Sequence, residues 1–204
     1  MSARRWIEFL VPDALGVHID WLRDLVRGEE GLLAQVTKSP TARRLLTRSL
    51  HRHHETAVPE RTSLAPEQQW LLVGHTRQLA LARRLGIEAL HELIRTTVEA
   101  PLVAILRKAL GDDDYRQALA GPGLPVTGIE RAGFGAALRR GRPEDYFVSV
   151  GAALLETTAR SGDPFCRMRM RFAFSPACWR ARPQGIGVDS AQLATRVAEL
   201  SEER

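Results

Sequence analysis

The densest group of side chains that could bind a metal is the run His51-Arg52-His53-His54-Glu55. On a helix, His51 and either His54 or Glu55 would lie on one face, at a separation that suits chelation of a metal ion. Arg52 places a positive charge inside this run, and no second cluster of cysteine, histidine or acidic residues completes a shell of four ligands. We therefore expect no metal site and no cofactor.

Acidic residues and glycines also occur in groups, but their spacing does not suit catalysis. The three adjacent aspartates at 112–114 would splay around a helix, so their carboxylates would not converge on one substrate atom. The same aspartates can cap a short helix that contains Tyr115 and Leu119. None of the Gly-X-Gly sequences continues into a phosphate-binding loop, and no GxSxG motif is present. The sequence therefore gives no support for an enzyme or for a small-molecule substrate.

An arginine tract near the C-terminus is the candidate partner-binding site. It contains Arg167, Arg169, Arg171 and Arg180 together with Trp179, and no acidic residue occurs between positions 167 and 182. Arginine and tryptophan are enriched among the residues that dominate binding energy at protein interfaces. One interpretation is a solvated basic face that keeps the protein soluble. The functional interpretation is a docking surface for an acidic partner.

DNA binding is the alternative function. The segment LALARRLGIEALHELIR is similar to a helix-turn-helix, with Ala82 four residues before Gly86 at the turn. The basic tracts would suit contact with phosphates. However, the second helix should bury an apolar residue where Glu92 stands, while Leu90 would face the groove of the DNA. We therefore keep a DNA-binding regulator only as the second hypothesis and expect no nucleic-acid partner.

The periodicity of the sequence predicts helices, with the helical centre at residues 66–120. Pro66 suits a first helical turn, Gly86 and Gly111 suit helix ends, and Pro101 marks a boundary or a kink. Apolar residues recur at steps of three and four, which places them on one helical face. They are Ile87, Leu90, Ile94, Val98, Leu102 and Ile105. We expect Ile94 and Val98 to be among the most buried residues of the core.

The predicted fold is mainly α: a single compact multi-helix domain over residues 1–204. Irregular segments rich in proline and glycine interrupt it, and its C-terminal part, 163–204, comprises the basic region and an amphipathic helix. Residues 165–174 are ambiguous, because basic and apolar residues alternate as in a strand while Asp163-Pro164 suits a helix start. We favour the helix, because no partner strand is evident.

Composition restricts the environment of the protein. The net charge is +5, and 27 of the 29 basic residues are arginine, which suits bidentate pairing with carboxylates. Only two cysteines occur, which favours a reducing cytoplasm over a disulfide framework. We see no signal peptide and no run of about 18 apolar residues that could span a bilayer. A cytoplasmic location follows as the expectation.

Part of the chain resembles a known family. The stretch LARRLGIEALHELIR…APLVAILRKALGDDDYRQALAGPGLP is similar to the central segment of the accessory adaptor proteins of bacterial type III secretion systems, the SctK family of the sorting platform. In that family a helix ending in Leu-Gly leads to a second helix ending in Leu-Gly, followed by a tyrosine and an Ala-Leu pair. Here these are Leu85-Gly86, Leu110-Gly111, Tyr115 and Ala118-Leu119. The run RMRMRFAFSP at 167–176 is similar to a basic and apolar run of the same family.

The resemblance implies a mainly helical, non-catalytic cytoplasmic adaptor without a cofactor. It implies two partners: the cytoplasmic domain of the inner-membrane ring and the pod protein, also called the C-ring protein. The protein would then be peripherally associated with the cytoplasmic face of the inner membrane, through the secretion apparatus alone. The resemblance carries over no catalytic residue and no binding motif at the level of single residues.

Overall fold

A computed structural model describes residues 17–53, 64, 66–159 and 164–202. The described part is mainly helical, as predicted. The chain divides into two compact units, one formed by residues 1–79 and 159–176 and the other by residues 80–158 and 177–204. We call them unit 1 and unit 2. A single domain would unfold as one cooperative unit. The single domain over residues 1–204 stays a prediction.

Unit 1 contains a group of three helices that pack on one another. These are α1 (Ile19–Leu25), α2 (Glu30–Lys38) and α3 (Pro40–His53), followed by a 3-10 helix, Pro66–Leu72. The apolar side chains of Leu22, Leu33, Val36 and Leu50 are buried. A later segment, α10 (Pro164–Ala173), contacts the 3-10 helix. The helical interpretation of residues 165–174 is therefore confirmed.

Unit 2 contains most of the remaining helices and a short antiparallel pair of strands. The elements in chain order are α4 (His75–Ala89), α5 (His91–Arg95), α6 (Ala100–Leu110), α7 (Asp112–Ala120), β1 (Val126–Thr127), α8 (Arg131–Arg139), α9 (Pro143–Ala159), α11 (Pro176–Ala181), β2 (Gly187–Val188) and α12 (Ser190–Glu202). In the strand pair, Val126 lies opposite Val188. The first residues of α4 and the first residue of α11 belong to unit 1, as does the last residue of α9.

Local sequence signals place several helix ends correctly. Gly111 ends α6 with φ of 79°, a backbone conformation that favours glycine. The side chain of Asp189 accepts a hydrogen bond of 2.8 Å from the backbone of Gln192 and so caps α12. This helix buries Leu193, Val197 and Leu200 on one face, which confirms the predicted C-terminal amphipathic helix. Asp112–Asp114 form the first turn of α7, but Gly111 occupies its cap position, so the predicted aspartate cap is wrong.

The predicted burial of Val98 is also wrong, because the apolar stripe is not one continuous helix. Ile94 is fully buried, as expected, whereas Val98 is 85% exposed. Helix α5 ends at Arg95, where the hydroxyl groups of Thr96 and Thr97 donate hydrogen bonds of 2.7 Å to carbonyls of the preceding turn. Such bonds compete with continuation of the helix. Helix α6 then begins anew next to Pro101, and Val98 lies in the connection.

Gly86 was predicted to end a helix, but α4 continues through it to Ala89. A Cβ atom at Gly86 would lie 2.7 Å from the carbonyl carbon of Phe147 in α9. The glycine is therefore required by the close approach of two helices, not by a turn. The turn that a helix-turn-helix would need at this position is consequently not formed.

The most completely buried helix of unit 2 is α9. Phe147, Val150 and Leu154 are fully buried, and so are its small residues Gly151 and Ala152. All seven consecutive residues from 149 to 155 are buried, so every side of this part of the helix lies in the core. The helical centre predicted at residues 66–120 does not include this helix.

Candidate functional site

The predicted arginine tract is divided between the two units. Arg167, Arg169 and Arg171 lie on α10 in unit 1, whereas Trp179 and Arg180 lie on α11 in unit 2. On α10, Arg167 and Arg171 are one helical turn apart, and both are exposed. Arg169 lies on the other side of the helix and is only 8% exposed. Its predicted place on an accessible docking surface is therefore wrong.

Burial changes the chemistry of Arg169. Removal of the guanidinium from water lowers its pKa to about 10, so the side chain stays charged at neutral pH. On the exposed side, the Arg171 guanidinium lies 5.5 Å from the ring centre of Trp21 on α1. The Trp21 indole N–H donates a 2.7 Å hydrogen bond to the carbonyl of Phe174. These contacts hold the C-terminal end of α10 against α1 within unit 1.

The unit 2 part of the tract is a small arginine–tryptophan cluster. Arg182 stacks on the half-buried Trp179, with its guanidinium 5.1 Å from the ring centre, and also forms an ion pair with Glu156. Glu156 thus compensates one positive charge of a tract in which the sequence shows no acid. Arg180 is exposed. Burial raises the pKa of the neighbouring Cys178 thiol to about 11, which makes it a poor nucleophile.

The candidate metal ligands His51, His54 and Glu55 lie outside the side chains that the structure describes. Across the described ranges, no group of three histidine, cysteine or acidic side chains could hold a metal ion. Two other histidines do meet in unit 1: the rings of His18 and His75 lie 5.7 Å apart, edge to face. His18 is the N-cap of α1, because its Nδ1 accepts a hydrogen bond from the backbone of Asp20.

Unit 2 carries a groove that was not predicted from the sequence. Its volume is about 1170 Å³, and it is formed by α4, α7, the segment 121–125 and α12. The lining residues are Ala80, Arg83, Arg84, Ile87, Glu88, His91, Asp114, Gln117, Ala118, Gly121, Pro122, Gly123, Leu124, Pro125, Ala191, Gln192, Thr195, Arg196 and Glu199. Within this set, Ile87, Ala118 and Leu124 supply buried apolar surface. The groove therefore combines an apolar part with charged side chains.

One side of the groove is held by a network around Arg196. Its guanidinium donates two hydrogen bonds to the carboxylate of Glu88 on α4, at 2.8 and 2.6 Å. A third hydrogen bond of 2.7 Å goes to Glu199, one turn further along α12. The hydrogen bonds to Glu88 are the main reason that the pKa of Arg196 is raised. This bidentate pair fixes the position of α12 relative to α4.

Arg83 joins a second set of helices at the groove. Its guanidinium donates hydrogen bonds to Glu144 at 2.8 and 3.3 Å, to Asp114 at 3.1 Å and to the carbonyl of Ala109 at 3.3 Å. One side chain of α4 thus contacts α9, α7 and α6. The hydrogen bond to Glu144 is the largest cause of its raised pKa. The charges on this side of the groove are therefore organised by packing contacts.

His91 closes the groove near the segment 121–125. The imidazole is only 8% exposed, and its Nε2 has no hydrogen-bond partner among the residues that the structure describes. Gly123, with φ of +63°, lies so close that an added Cβ would be 2.9 Å from the ring. The N–H of Leu124 donates a 3.0 Å hydrogen bond to the carbonyl of Glu88 and so ties this segment to α4.

The sequence contains weak signals of this groove. Arg84 and Glu88 are four residues apart, and Arg196 and Glu199 are three apart, as in helical ion pairs. The pair that forms one side of the groove, Glu88 with Arg196, is separated by 108 residues. No local pattern predicts such a pair, because its formation depends on how the helices pack.

Comparisons with known proteins add no identification. The chain matches no protein-family model, and neither the curated proteins nor the solved structures contain a significant match to it. Within the described residues, no helix combines the length and apolar character needed to cross a membrane.

Proposed function

We propose that this protein is a non-catalytic cytoplasmic adaptor of a bacterial type III secretion sorting platform. It would bridge the cytoplasmic domain of the inner-membrane ring and the pod protein. The proposal starts from the sequence resemblance carried by Leu85-Gly86, Leu110-Gly111, Tyr115 and Ala118-Leu119. Three of these residues have structural roles in unit 2: Leu85 and Leu110 are buried, and Ala118 lines the groove.

The observation that carries the proposal is the groove of unit 2. Its volume of about 1170 Å³ is above the usual range for small-ligand pockets, which is about 300–1,000 Å³. An apolar strip next to arginine and glutamate side chains suits the amphipathic side of a protein segment. The Glu88–Arg196 and Arg83–Glu144 pairs hold the surrounding helices in place. Binding would therefore cost little conformational entropy in the groove.

Chemical catalysis has less support than binding. The charged side chains Arg83, Glu88 and Arg196 are engaged in ion pairs that connect helices. The thiol of Cys178 is protonated at neutral pH because of its raised pKa. A single buried imidazole, that of His91, has neither a nucleophile nor a metal partner in the described part of the groove lining.

The test is binding of the full chain to the purified pod protein and, separately, to the ring protein's cytoplasmic domain. Thr195 is an exposed residue of α12 that lines the groove, whereas Glu202 is exposed on the same helix and does not line it. Thr195→Trp should weaken binding of one partner at least about tenfold, roughly 1.4 kcal/mol. Glu202→Trp is the matched control and should bind like wild type.

Both variants should keep the wild-type melting temperature, because surface substitutions usually change stability by about 0.5 kcal/mol or less. Binding of neither partner by the wild-type chain would refute the adaptor function. Binding of a partner that Thr195→Trp leaves unchanged would exclude the groove as its docking site.

A further inference from the structure

The outer face of α3 in unit 1 carries three arginines over about two helical turns. Arg44, Arg48 and Arg52 are exposed and follow one another at steps of four residues. Each step corresponds to about 6 Å along a helix, so the three guanidinium groups project from one stripe roughly 12 Å long. No acidic residue occurs between Lys38 and His54. In the part of the chain that the structure describes, Arg48 and Arg52 form no ion pair.

The same stripe contains an exposed apolar side chain. Leu45 lies three residues before Arg48, so the two side chains are neighbours on the helix surface, and Leu45 is 61% exposed. The opposite side of α3 faces α1 and α2, where Leu50 is buried. Helix α3 therefore has an inner apolar face that is already used for packing and an outer face that is exposed. Arg44 has an interaction of its own, so we call only Leu45, Arg48 and Arg52 the α3 basic face.

We propose that the α3 basic face binds an acidic helical segment of a partner protein. Carboxylates spaced four residues apart on a helix match the guanidinium spacing, and arginine pairs with a carboxylate through two parallel hydrogen bonds. A leucine beside the arginines provides the apolar contact from which water is excluded at the centre of a small interface. This inference does not depend on a role in secretion.

Nucleic acid and membrane fit the same face less well. Arg48 and Arg52 would neutralise only about two phosphates, which gives weak and salt-dependent nucleic-acid binding, and a phosphate backbone offers no partner for Leu45. A helix that lies in a membrane surface must insert a broad apolar side. In α3 that side carries Leu50 and is buried within unit 1.

The experiment is a titration of the full chain, at about 150 mM salt, with a synthetic alanine-based helical peptide of about 16 residues. The peptide has glutamates at steps of four residues and one leucine beside the central glutamate. Amide NMR spectra locate the binding site, and fluorescence anisotropy measures affinity. We expect the largest shifts in α3. Arg48→Glu should weaken binding about tenfold and Leu45→Ser about threefold.

The matched control is Arg77→Glu, because Arg77 is an exposed arginine of unit 1 that lies on α4. It makes the same change in charge and should leave affinity within about twofold, since net charge alone acts weakly at this ionic strength. Equal weakening by Arg77→Glu and Arg48→Glu would overturn the proposal, because attraction would then be non-specific. Shifts spread over other helices, or no binding at all, would also overturn it.

Two further titrations test nucleic acid and a membrane surface as the ligand of the α3 basic face. A DNA duplex of about 20 base pairs, or vesicles containing about 30% phosphatidylserine in phosphatidylcholine, should bind more weakly than the peptide at the same salt concentration. Tighter binding of either one would reject the acidic helix as occupant. The groove variant Thr195→Trp should bind the peptide like wild type, so failure of the groove hypothesis and failure of this one are distinguishable.

Discussion

Gly86 of α4 and Phe147 of α9 meet through their backbones. A Cβ atom at Gly86 would lie 3.1 Å from the Cα of Phe147, 2.7 Å from its carbonyl carbon and closer still to its oxygen. One turn further along α9, an added Cβ at Gly151 would lie 2.8 Å from the Cα of Ala82. Gly86 on α4 and Gly151 on α9 therefore provide two contact points, one helical turn apart, at which the side chain is absent. The two helices can approach there more closely than ordinary side chains would allow.

The first prediction concerns this close approach. Gly86→Ala should destabilise the protein by about 3 kcal/mol, because backbone atoms of α9 cannot yield to the added methyl group without repacking. The control is Gly135→Ala in α8, where the nearest atoms belong to the flexible Arg139 side chain at 3.5 Å. That change should be neutral or stabilising by up to about 1 kcal/mol, because alanine favours the helix. Urea unfolding measures both, and equal stability of the two variants would contradict the packing role of Gly86.

The second prediction compares two residues of the original apolar stripe. Ile94→Asp should destabilise the protein by about 3–5 kcal/mol, because Ile94 is fully buried and the carboxylate would lack a partner. Val98→Asp should change the free energy of unfolding by about 0.5 kcal/mol or less, because this side chain is 85% exposed. Thermal unfolding followed by circular dichroism is sufficient. A melting temperature of Ile94→Asp within a degree or two of wild type would show that the assignment of Ile94 to the core is wrong.

The third prediction separates the arginines of α10. Arg169→Glu should cost about 3–5 kcal/mol, because it reverses a charge at a site that is only 8% exposed. Arg169→Met, which keeps the length and apolar stem of the side chain, should cost clearly less. Arg167→Glu should cost little, because its side chain is exposed. If Arg169→Glu melts like Arg167→Glu, the buried position of Arg169 is contradicted.

The fourth prediction concerns pH and the His18–His75 pair. Burial lowers the pKa of both imidazoles from 6.5, and for His75 the charge of His18 lowers it further. The unfolded chain therefore binds more protons than the folded one between pH 6.5 and the lowered pKa values, so stability is lost as the pH falls from 6.5 through those values. Protonation of His18 at Nδ1 would also remove the acceptor that caps α1.

We accordingly expect a lower melting temperature at about pH 5.5 than at about pH 7.5, a range in which ordinary carboxylates stay ionised. The variant His18→Asn with His75→Gln should flatten this dependence, because asparagine can keep the cap and neither amide titrates. An unchanged pH dependence in that variant would show that other groups are responsible.

Much of the fold is predictable from local sequence. The helix at 165–174 is an instructive case, because arginine and apolar residues alternate as in a strand, yet the chain forms α10. The alternation then places Arg169 among buried residues, since positions 167 and 169 point to different sides of a helix. A correct assignment of the element was therefore not sufficient to predict which arginine is accessible.

The mainly helical character of the fold and several helix ends follow from local sequence. Gly111 ends α6 through its backbone conformation, and Asp189 caps α12 through a short-range hydrogen bond. Both effects act within one helical turn, so these helix ends can be predicted from the sequence. The continuation of α4 through Gly86 and the pairing of Glu88 with Arg196 depend on tertiary packing and were not predictable from the sequence. The physical reason is that helix contacts form between residues far apart in the chain, where packing outweighs local propensity.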